Sequence, residues 1–161
     1  MHDPYFHDFA RYNAWANKRL YEACSKLPEA EYMKPRKSFF GSIHATLNHL
    51  LVGDRIWLGR IERRPVKLAL NQILYGDFVA LSVARVAEDE RLIRVVEAID
   101  RTELDRPLDY LNLKGERFQT PLRRVLGHLF NHQTHHRGQV HDMLSQTEVP
   151  PPPLDLILFL R

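Results

Sequence analysis

The sequence predicts an all-α protein, a four-helix bundle with a small β-hairpin before its last helix. Apolar residues recur at spacings of three and four in four segments, capping residues or prolines mark their ends, and one short stretch departs from this pattern. The chain has 161 residues, 44% of them hydrophobic, which is the length of one domain with a sizeable core. We expect a single domain over residues 1–161.

The first helix is predicted to begin at Pro4, because Asp3 can cap a helix and proline is tolerated at the first helical position. Its stripe stops at Pro28, which cannot continue a helix. The stripe contains Phe9, Tyr12, Ala16, Leu20, Ala23 and Leu27. Cys24 lies on the same side of this helix, so we expect a buried, inert thiol.

Ser42 can cap a second helix, and its pattern fades in the charged stretch 62–65. A third helix is predicted from about Asp77 to Ile99, while residues 67–76 form a connection without a predicted shape. The second stripe consists of Ile43, Leu47, Leu50, Trp57 and Ile61, flanked by Leu51 and Leu58. The inward candidates of the third helix are Phe78, Leu81, Leu92, Val95 and Ile99.

The hairpin is predicted between Leu108 and Gln119, because Lys114-Gly115 can form a tight turn between two short extended arms. Thr120-Pro121 repeats the signal of a cap followed by proline and predicts the start of the fourth helix. That helix has the stripe Leu122, Val125, Leu126, Leu129, His136, Val140, Met143 and Leu144. Residues 150–153 are prolines and should be extended, and we expect the apolar tail 154–160 to pack back on the bundle.

Charge and composition exclude several classes of protein. The 23 Lys and Arg are interleaved with 20 Asp and Glu, whereas a nucleic-acid-binding protein would concentrate its basic residues on one face. No apolar run is long enough to span a membrane, and no signal peptide is recognisable at the N-terminus. A single cysteine is typical of a reducing compartment. We expect a cytoplasmic protein with neither a nucleic-acid nor a membrane partner.

Histidine is unusually frequent, with nine residues, of which five lie between His128 and His141. His132 and His136 are four positions apart on the fourth helix, so both imidazoles can reach one point. This spacing suits two nitrogen ligands of a divalent metal such as zinc or nickel. A histidine pair can also share a helix face by chance. The polar residues around this pair favour the metal, because polar groups in a bundle interior need partners.

Known catalytic motifs are missing from the sequence. A zincin protease needs a glutamate directly after the first histidine, and that position is Gln133, which cannot act as a general base. The sequence also contains no nucleophile elbow, no Walker loop and no glycine-rich dinucleotide motif.

The second helix offers the candidates for a third ligand, His44 and His49, and periodicity alone does not choose between them. Asp54 falls in the middle of the apolar stripe of the same helix, where a carboxylate needs a partner. That partner is either a group on a neighbouring helix or an imidazole that Asp54 orients.

The sequence resembles the DinB-like (DinB/YfiT) family over nearly its whole length. The resemblance rests on Tyr12-Asn13-Ala14-Trp15-Ala16-Asn17, on Leu47-Asn48-His49-Leu50-Leu51 with Asp54 and Trp57, and on NHQTHHRGQVH over 131–141. Thr120-Pro121-Leu122 and the proline-rich tail with Leu154-Asp155-Leu156-Ile157 also match. The family consists of damage-inducible bacterial four-helix proteins, and the resemblance implies an up-down-down-up bundle.

The resemblance also implies a metal triad of His49, His132 and His136, with coordination positions left open for water or substrate. Characterised members are similar to thiol-dependent transferases and isomerases, and many form homodimers. We therefore expect a metal-dependent enzyme of the thiol S-transferase kind, acting on a small substrate together with a low-molecular-weight thiol. The alternative is a metal-binding stress or damage-response module without turnover. His128 and His135 are neighbours that can shape the pocket.

Overall fold

The computed structural model describes residues 4–161 and contains four long helices that form a bundle. The predicted capping residue Asp3 lies outside the described residues. In chain order the elements are α1 (Pro4–Cys24), α2 (Glu29–Met33), α3 (Ile43–Ile61), α4 (Phe78–Ala98), a 3₁₀ turn (Arg101–Glu103), β1 (Pro107–Leu111), β2 (Arg117–Pro121), α5 (Leu122–Ser145) and α6 (Leu156–Phe159).

The long helices follow the up-down-down-up arrangement. Helix α1 runs antiparallel to α4 and parallel to α5, while α3 runs parallel to α4 and antiparallel to α5. For α1 and α4 the direction follows from the contacts Asn13–Asp89 and Tyr21–Phe78, and for α1 and α5 from Phe6–Phe130 and Asn13–Arg137. For α3 and α4 it follows from Asp54–Arg85 and Glu62–Arg91, and for α3 and α5 from His49–His132 and Trp57–His128. The predicted bundle is confirmed, and the α1/α4 face lies opposite the α3/α5 face.

The apolar stripes meet in two clusters along the bundle axis. One is centred on Leu20, Leu47, Leu51 and Leu144, and the other on Leu58, Leu92, Leu126 and Leu129. Between residues 4 and 161, no helix is both long enough and apolar enough to cross a bilayer.

Local capping explains where the middle helices begin. The Ser42 hydroxyl accepts a hydrogen bond from the Ala45 N–H, and the Asp77 carboxylate accepts one from the Ala80 N–H, so both predicted caps are confirmed. The end of α1 differs from the prediction. It lies at Cys24 and not at Pro28, because Lys26 and Leu27 close tighter turns on the carbonyls three residues earlier.

The last long helix, α5, does not begin with the predicted cap at Thr120 followed by proline at the first helical position. Thr120 belongs to β2, and Pro121 occupies the capping position itself without a side-chain cap. The first two N–H groups of α5, from Leu122 and Arg123, donate to the backbone carbonyls of Arg106 and Leu104, in the loop before β1. Those carbonyls satisfy the donors that a capping side chain would otherwise accept from.

The hairpin is confirmed as two antiparallel strands in which Tyr110 pairs with Phe118. Gly115 adopts a φ of +83° in its turn, which favours glycine. The C-terminal tail contacts the bundle through Leu154 and through Phe159, whose ring packs against Tyr12 and Trp15. It differs from the prediction in forming the short helix α6, and Ile157 and Leu158 of this helix, together with Leu160 after it, remain exposed.

The long connection from α3 to α4 is irregular but fixed by one buried side chain. The side-chain oxygen of Asn48 accepts hydrogen bonds from the N–H groups of Leu74 and Tyr75, and its side-chain amide donates one to the Tyr75 carbonyl. These bonds hold the connection against α3, and the same connection brings the carbonyl of Leu70 to His49.

Candidate metal centre

The antiparallel packing of α3 against α5 brings His49, His132 and His136 together. One ring nitrogen of each residue lies within 4.8 Å of the corresponding atoms of the other two. The Nε2 atoms of His49 and His132 are 2.9 Å apart. His132 and His136 reach this point from successive turns of α5, as their spacing predicts.

Hydrogen bonds on the far side of two rings determine which nitrogen faces the cluster. The Nδ1–H of His49 donates to the Leu70 carbonyl at 2.7 Å, and the Nδ1–H of His136 donates to the Gln139 side-chain oxygen at 2.7 Å. A proton on Nδ1 leaves Nε2 with a free lone pair. Both rings therefore present a metal-binding nitrogen, and their orientation is fixed by the type of outer partner seen in metal sites.

Gly53 makes the close approach of α3 to His132 possible. A Cβ at this position would lie 2.7 Å from Cε1 and 3.2 Å from Nδ1 of His132, which is closer than real Cβ contacts. Glycine inside a helix lowers its stability, so a close contact explains its presence here.

Burial favours the neutral form of all three imidazoles. It lowers the pKa of His49 and of His136, although outer hydrogen bonds to Leu70 and Gln139 act in the opposite direction. The pKa of His132 falls to about 3, first through burial and then through repulsion by the neighbouring imidazoles. Neutral imidazole is the form that binds a metal, so the three rings are ready donors at neutral pH.

The other predicted histidines lie outside this cluster. His44, the open alternative to His49, bonds through Nδ1 to the Tyr32 hydroxyl at 3.0 Å. The ring of His128 packs edge-on against Trp57, and that of His135 packs against His136.

A cavity of about 740 Å³ opens beside the three histidines. The ring of Phe40 stacks on His49 with centroids 3.9 Å apart and covers one side. The remaining wall is mostly apolar and aromatic, with several polar side chains among the lining residues: Ile56, Trp57, Arg60, Leu70, Tyr110, Asn112, Leu113, Lys114, Phe118, His128, His135 and Gln139. Phe39 and Phe118 are exposed, so this space reaches the protein surface.

Comparison with known proteins agrees with the family resemblance of the sequence. The model of the DinB family matches residues 1–161. The chain belongs to the DinB family. It is also similar to the protein DinB of Bacillus subtilis (strain 168), with 29% identity over 164 residues that cover 95% of this chain and 94% of that protein.

In this DinB-family protein Asp54 contacts neighbouring helices. Its Oδ2 accepts a hydrogen bond from the Gln133 amide of α5 and pairs with Arg85 of α4 at 2.7 Å. Arg85 also pairs with Asp89 at 2.9 Å, and all three charged side chains are almost fully buried. Burial opposes the charge on Arg85, but Asp89 and Asp54 outweigh it and raise the pKa of Arg85.

The polar network continues into α1. The amides of Asn13 and Asn17 donate to Asp89, and Arg137 of α5 donates to Asn13, Asn17 and Gln133. The pattern of the sequence did not single out Arg85 and Asp89. Their spacing of four residues within a helix that must bury one face was the available signal.

Proposed function

We propose that His49, His132 and His136 hold a divalent metal ion, zinc or nickel, through their Nε2 atoms. The residues fit this group because the three nitrogens converge and two rings are protonated on the opposite nitrogen. An all-imidazole set suits zinc and nickel better than magnesium or calcium, which prefer oxygen ligands. Three protein ligands leave room for an exogenous one.

We further propose that the protein is an enzyme of the thiol S-transferase kind. The observation that carries this proposal is the 740 Å³ cavity beside the histidines, because a storage or structural site has no need of an adjacent pocket large enough for a small molecule. When bound, a divalent metal lowers the pKa of a coordinated thiol. A thiol activated in this way would lose its proton and attack an electrophilic carbon, forming a C–S bond as the bond to the leaving group breaks with its electron pair.

The side chains around the cavity have distinct roles in this reaction. Phe40, stacked on His49, shields one side of the histidine cluster from water, and Trp57 adds an apolar surface to the cavity wall. His128 lies on the cavity wall, and burial followed by the charge of Arg60 lowers its pKa. A neutral imidazole in this position can accept the proton that the thiol loses.

The test begins with elemental analysis of tag-free protein purified without chelators. We expect about one divalent ion per chain, and His132→Ala should lose it. A conjugation assay with a panel of small thiols and an electrophile such as monobromobimane follows. We expect turnover above the uncatalysed rate in the wild type, and turnover at the uncatalysed rate in His132→Ala.

The matched control is His141→Gln on the same helix, since His141 bonds to the Pro152 carbonyl and does not line the cavity. It should keep both the metal and the activity. Metal loss in His132→Ala with unchanged turnover would argue against a role of the metal in catalysis. A metal-loaded protein inactive with every thiol would favour the alternative, a binding module.

We propose that the protein also binds another copy of itself, at the α1/α4 face. Val79, Val83 and Val86 are 71%, 67% and 58% exposed and form a stripe along α4. They border a groove of about 710 Å³ that Trp15 of α1 also lines. A two-fold axis through this face would bury both stripes against each other and leave both metal centres open.

Light scattering after size-exclusion chromatography tests the dimer. We expect a dimeric wild type and a monomeric Val83→Glu, while Val66→Glu, in the connection between α3 and α4, should remain dimeric. A monomeric wild type at high concentration would contradict the proposal.

We also propose a cytoplasmic location and induction by DNA damage. The location is supported by Cys24, which is free and buried. Fractionation of cells and transcript measurement after a DNA-damaging agent test these two points separately.

A further inference from the structure

A second groove, of about 1030 Å³, joins the histidine cavity at the hairpin. It runs between the α3–α4 connection and the two strands. Arg60, Tyr110, Asn112, Leu113 and Lys114 line both spaces, so the groove and the histidine cavity adjoin along these side chains. Arg60 lies where the two spaces meet beside β1.

The lining of this groove is strongly cationic. Its charged side chains are Arg60, Arg63, Lys67, Lys114, Arg117 and a single carboxylate, Asp109. That carboxylate already has partners, because it pairs with Arg117 at 3.3 Å and accepts a hydrogen bond from Gln119 at 2.8 Å. The histidine cavity adds no carboxylate from the described part of the chain. Such a concentration contrasts with the nearly neutral chain, whose formal charge is +3.

Arg60 occupies the junction of the two spaces in a fixed orientation. Its guanidinium lies over the rings of Trp57 and Tyr110, 4.4 Å and 4.9 Å from their centroids. One nitrogen donates to the Leu111 carbonyl at 2.9 Å. Within residues 4–161 no carboxylate forms an ion pair with Arg60, although it is partly buried. The stacked guanidinium therefore retains N–H donors suited to a carboxylate or phosphate.

We propose that the groove binds the acidic end of a small substrate, carrying two or more carboxylate or phosphate groups, whose reactive end reaches the histidine cluster. This inference depends on the proposed function only in placing the reactive end of the substrate at the metal centre. Arg60 binds the acid group nearest the metal centre, and Lys67 and Lys114 bind the outer ones. A small molecule is the class of ligand that the two adjoining spaces hold, with its acid groups at the cationic groove and its reactive end at the histidines.

The acidic end is tested first without metal or thiol. Tricarballylate, a tricarboxylate that contains no sulfur, is titrated into chelator-treated protein and followed by calorimetry or NMR. We expect saturable binding that weakens with salt, and a dissociation constant about tenfold higher in Arg60→Gln, since a charge-assisted pair is lost. Lys114→Gln, at an exposed turn that cannot affect folding much, should weaken binding as well. Arg94→Gln removes the same charge from an exposed site on α4 and should change nothing.

The second arm uses metal-loaded protein and compares mercaptosuccinate with the neutral thiol 1-thioglycerol. We expect tighter binding of mercaptosuccinate, and we expect Arg60→Gln to remove that preference while the affinity for 1-thioglycerol stays unchanged. If neither thiol reaches the metal but tricarballylate binds with the same dependence on Arg60, the proposed function fails and the acidic subsite stands. If both thiols bind equally well in the wild type, the proposed function stands and the acidic subsite is wrong.

Two further results would overturn the subsite. One is binding of tricarballylate that is unaffected by Arg60→Gln and Lys114→Gln. The other is tight binding of a single-stranded DNA oligonucleotide that depends on Arg60, together with no binding of tricarballylate, which would assign the groove to a polymer.

Discussion

The backbone of Gly53 lies against the imidazole of His132, so that a Cβ on Gly53 would come within 2.7 Å of the ring. The two residues belong to α3 and α5, the helices that carry the three histidines. The spacing between these helices therefore depends on the absence of one methyl group. Any side chain at position 53 must therefore displace the ring of His132 or move the two helices apart.

Gly53→Ala should weaken metal binding by about tenfold or more, because the added methyl group displaces a ligating ring. A tenfold change corresponds to about 1.4 kcal/mol of binding free energy. The affinity is measured by competition with a chromophoric chelator. Gly127→Ala in α5 is the control, since a Cβ there meets nothing within 4 Å. It should leave metal affinity unchanged and stabilise the protein by about 0.5–1 kcal/mol. Equal affinities of the two variants would contradict the prediction.

Gln139→Leu should lower metal affinity by about 10- to 100-fold, the usual effect of losing an outer partner of a ligating histidine. The Nδ1–H of His136 then has no acceptor, and its ring is free to rotate. Gln139→Glu keeps an acceptor oxygen and should retain the affinity. The same competition assay measures both variants. If Leu and Glu behave alike, the hydrogen bond does not orient His136.

Asp54→Ala should lower the free energy of unfolding by about 3–5 kcal/mol, because it removes one partner of a buried ion pair with Arg85. Folded molecules of this variant should still bind one metal ion, since Asp54 contacts Gln133 and Arg85 and not an imidazole. Urea denaturation and metal content are measured on the same sample. Asp105→Ala removes an exposed partner of Arg123 and should cost less than about 1 kcal/mol. Intact stability with lost metal would reverse this assignment.

The metal-free protein should lose stability as the pH falls below about 6.5. An unfolded histidine takes up a proton with a pKa near 6.5, whereas His132 in the fold does so only near 3. The unfolded state thus binds more protons between these values, and the contribution of His132 alone reaches about 2 kcal/mol at pH 5. Urea unfolding at pH 7 and pH 5, in the presence of a chelator, measures the loss. His132→Leu should lose less than the wild type over the same interval, and an equal loss would refute the assignment to His132.

Much of the fold follows from local signals in the sequence. The caps Ser42 and Asp77, the turn at Gly115 and the apolar stripes all act over a few residues, and each lies where expected. The start of α5 could not be predicted correctly, because its N–H acceptors are backbone carbonyls of a loop whose position depends on the hairpin. Such tertiary contacts leave no signature in the residue types.

The candidate site, too, could be predicted from the sequence only in part. The pair His132 and His136 is visible from spacing alone, whereas the choice between His44 and His49 needed the family resemblance. Two determinants of His49 orientation were not predictable. They are the Leu70 carbonyl and the ring of Phe40, both in irregular segments that carry no periodicity.

His49 and His132 are 83 positions apart in the sequence, while His132 and His136 are neighbours on one helix. The pair on α5 can hold a metal loosely as soon as that helix forms, even in a chain whose bundle has not assembled. The folded chain then binds the metal more tightly than such a partly folded chain only by the binding energy of the third ligand. An ion at this centre would consequently stabilise the bundle by less than its full binding energy, and it would act by joining α3 to α5 after both helices exist.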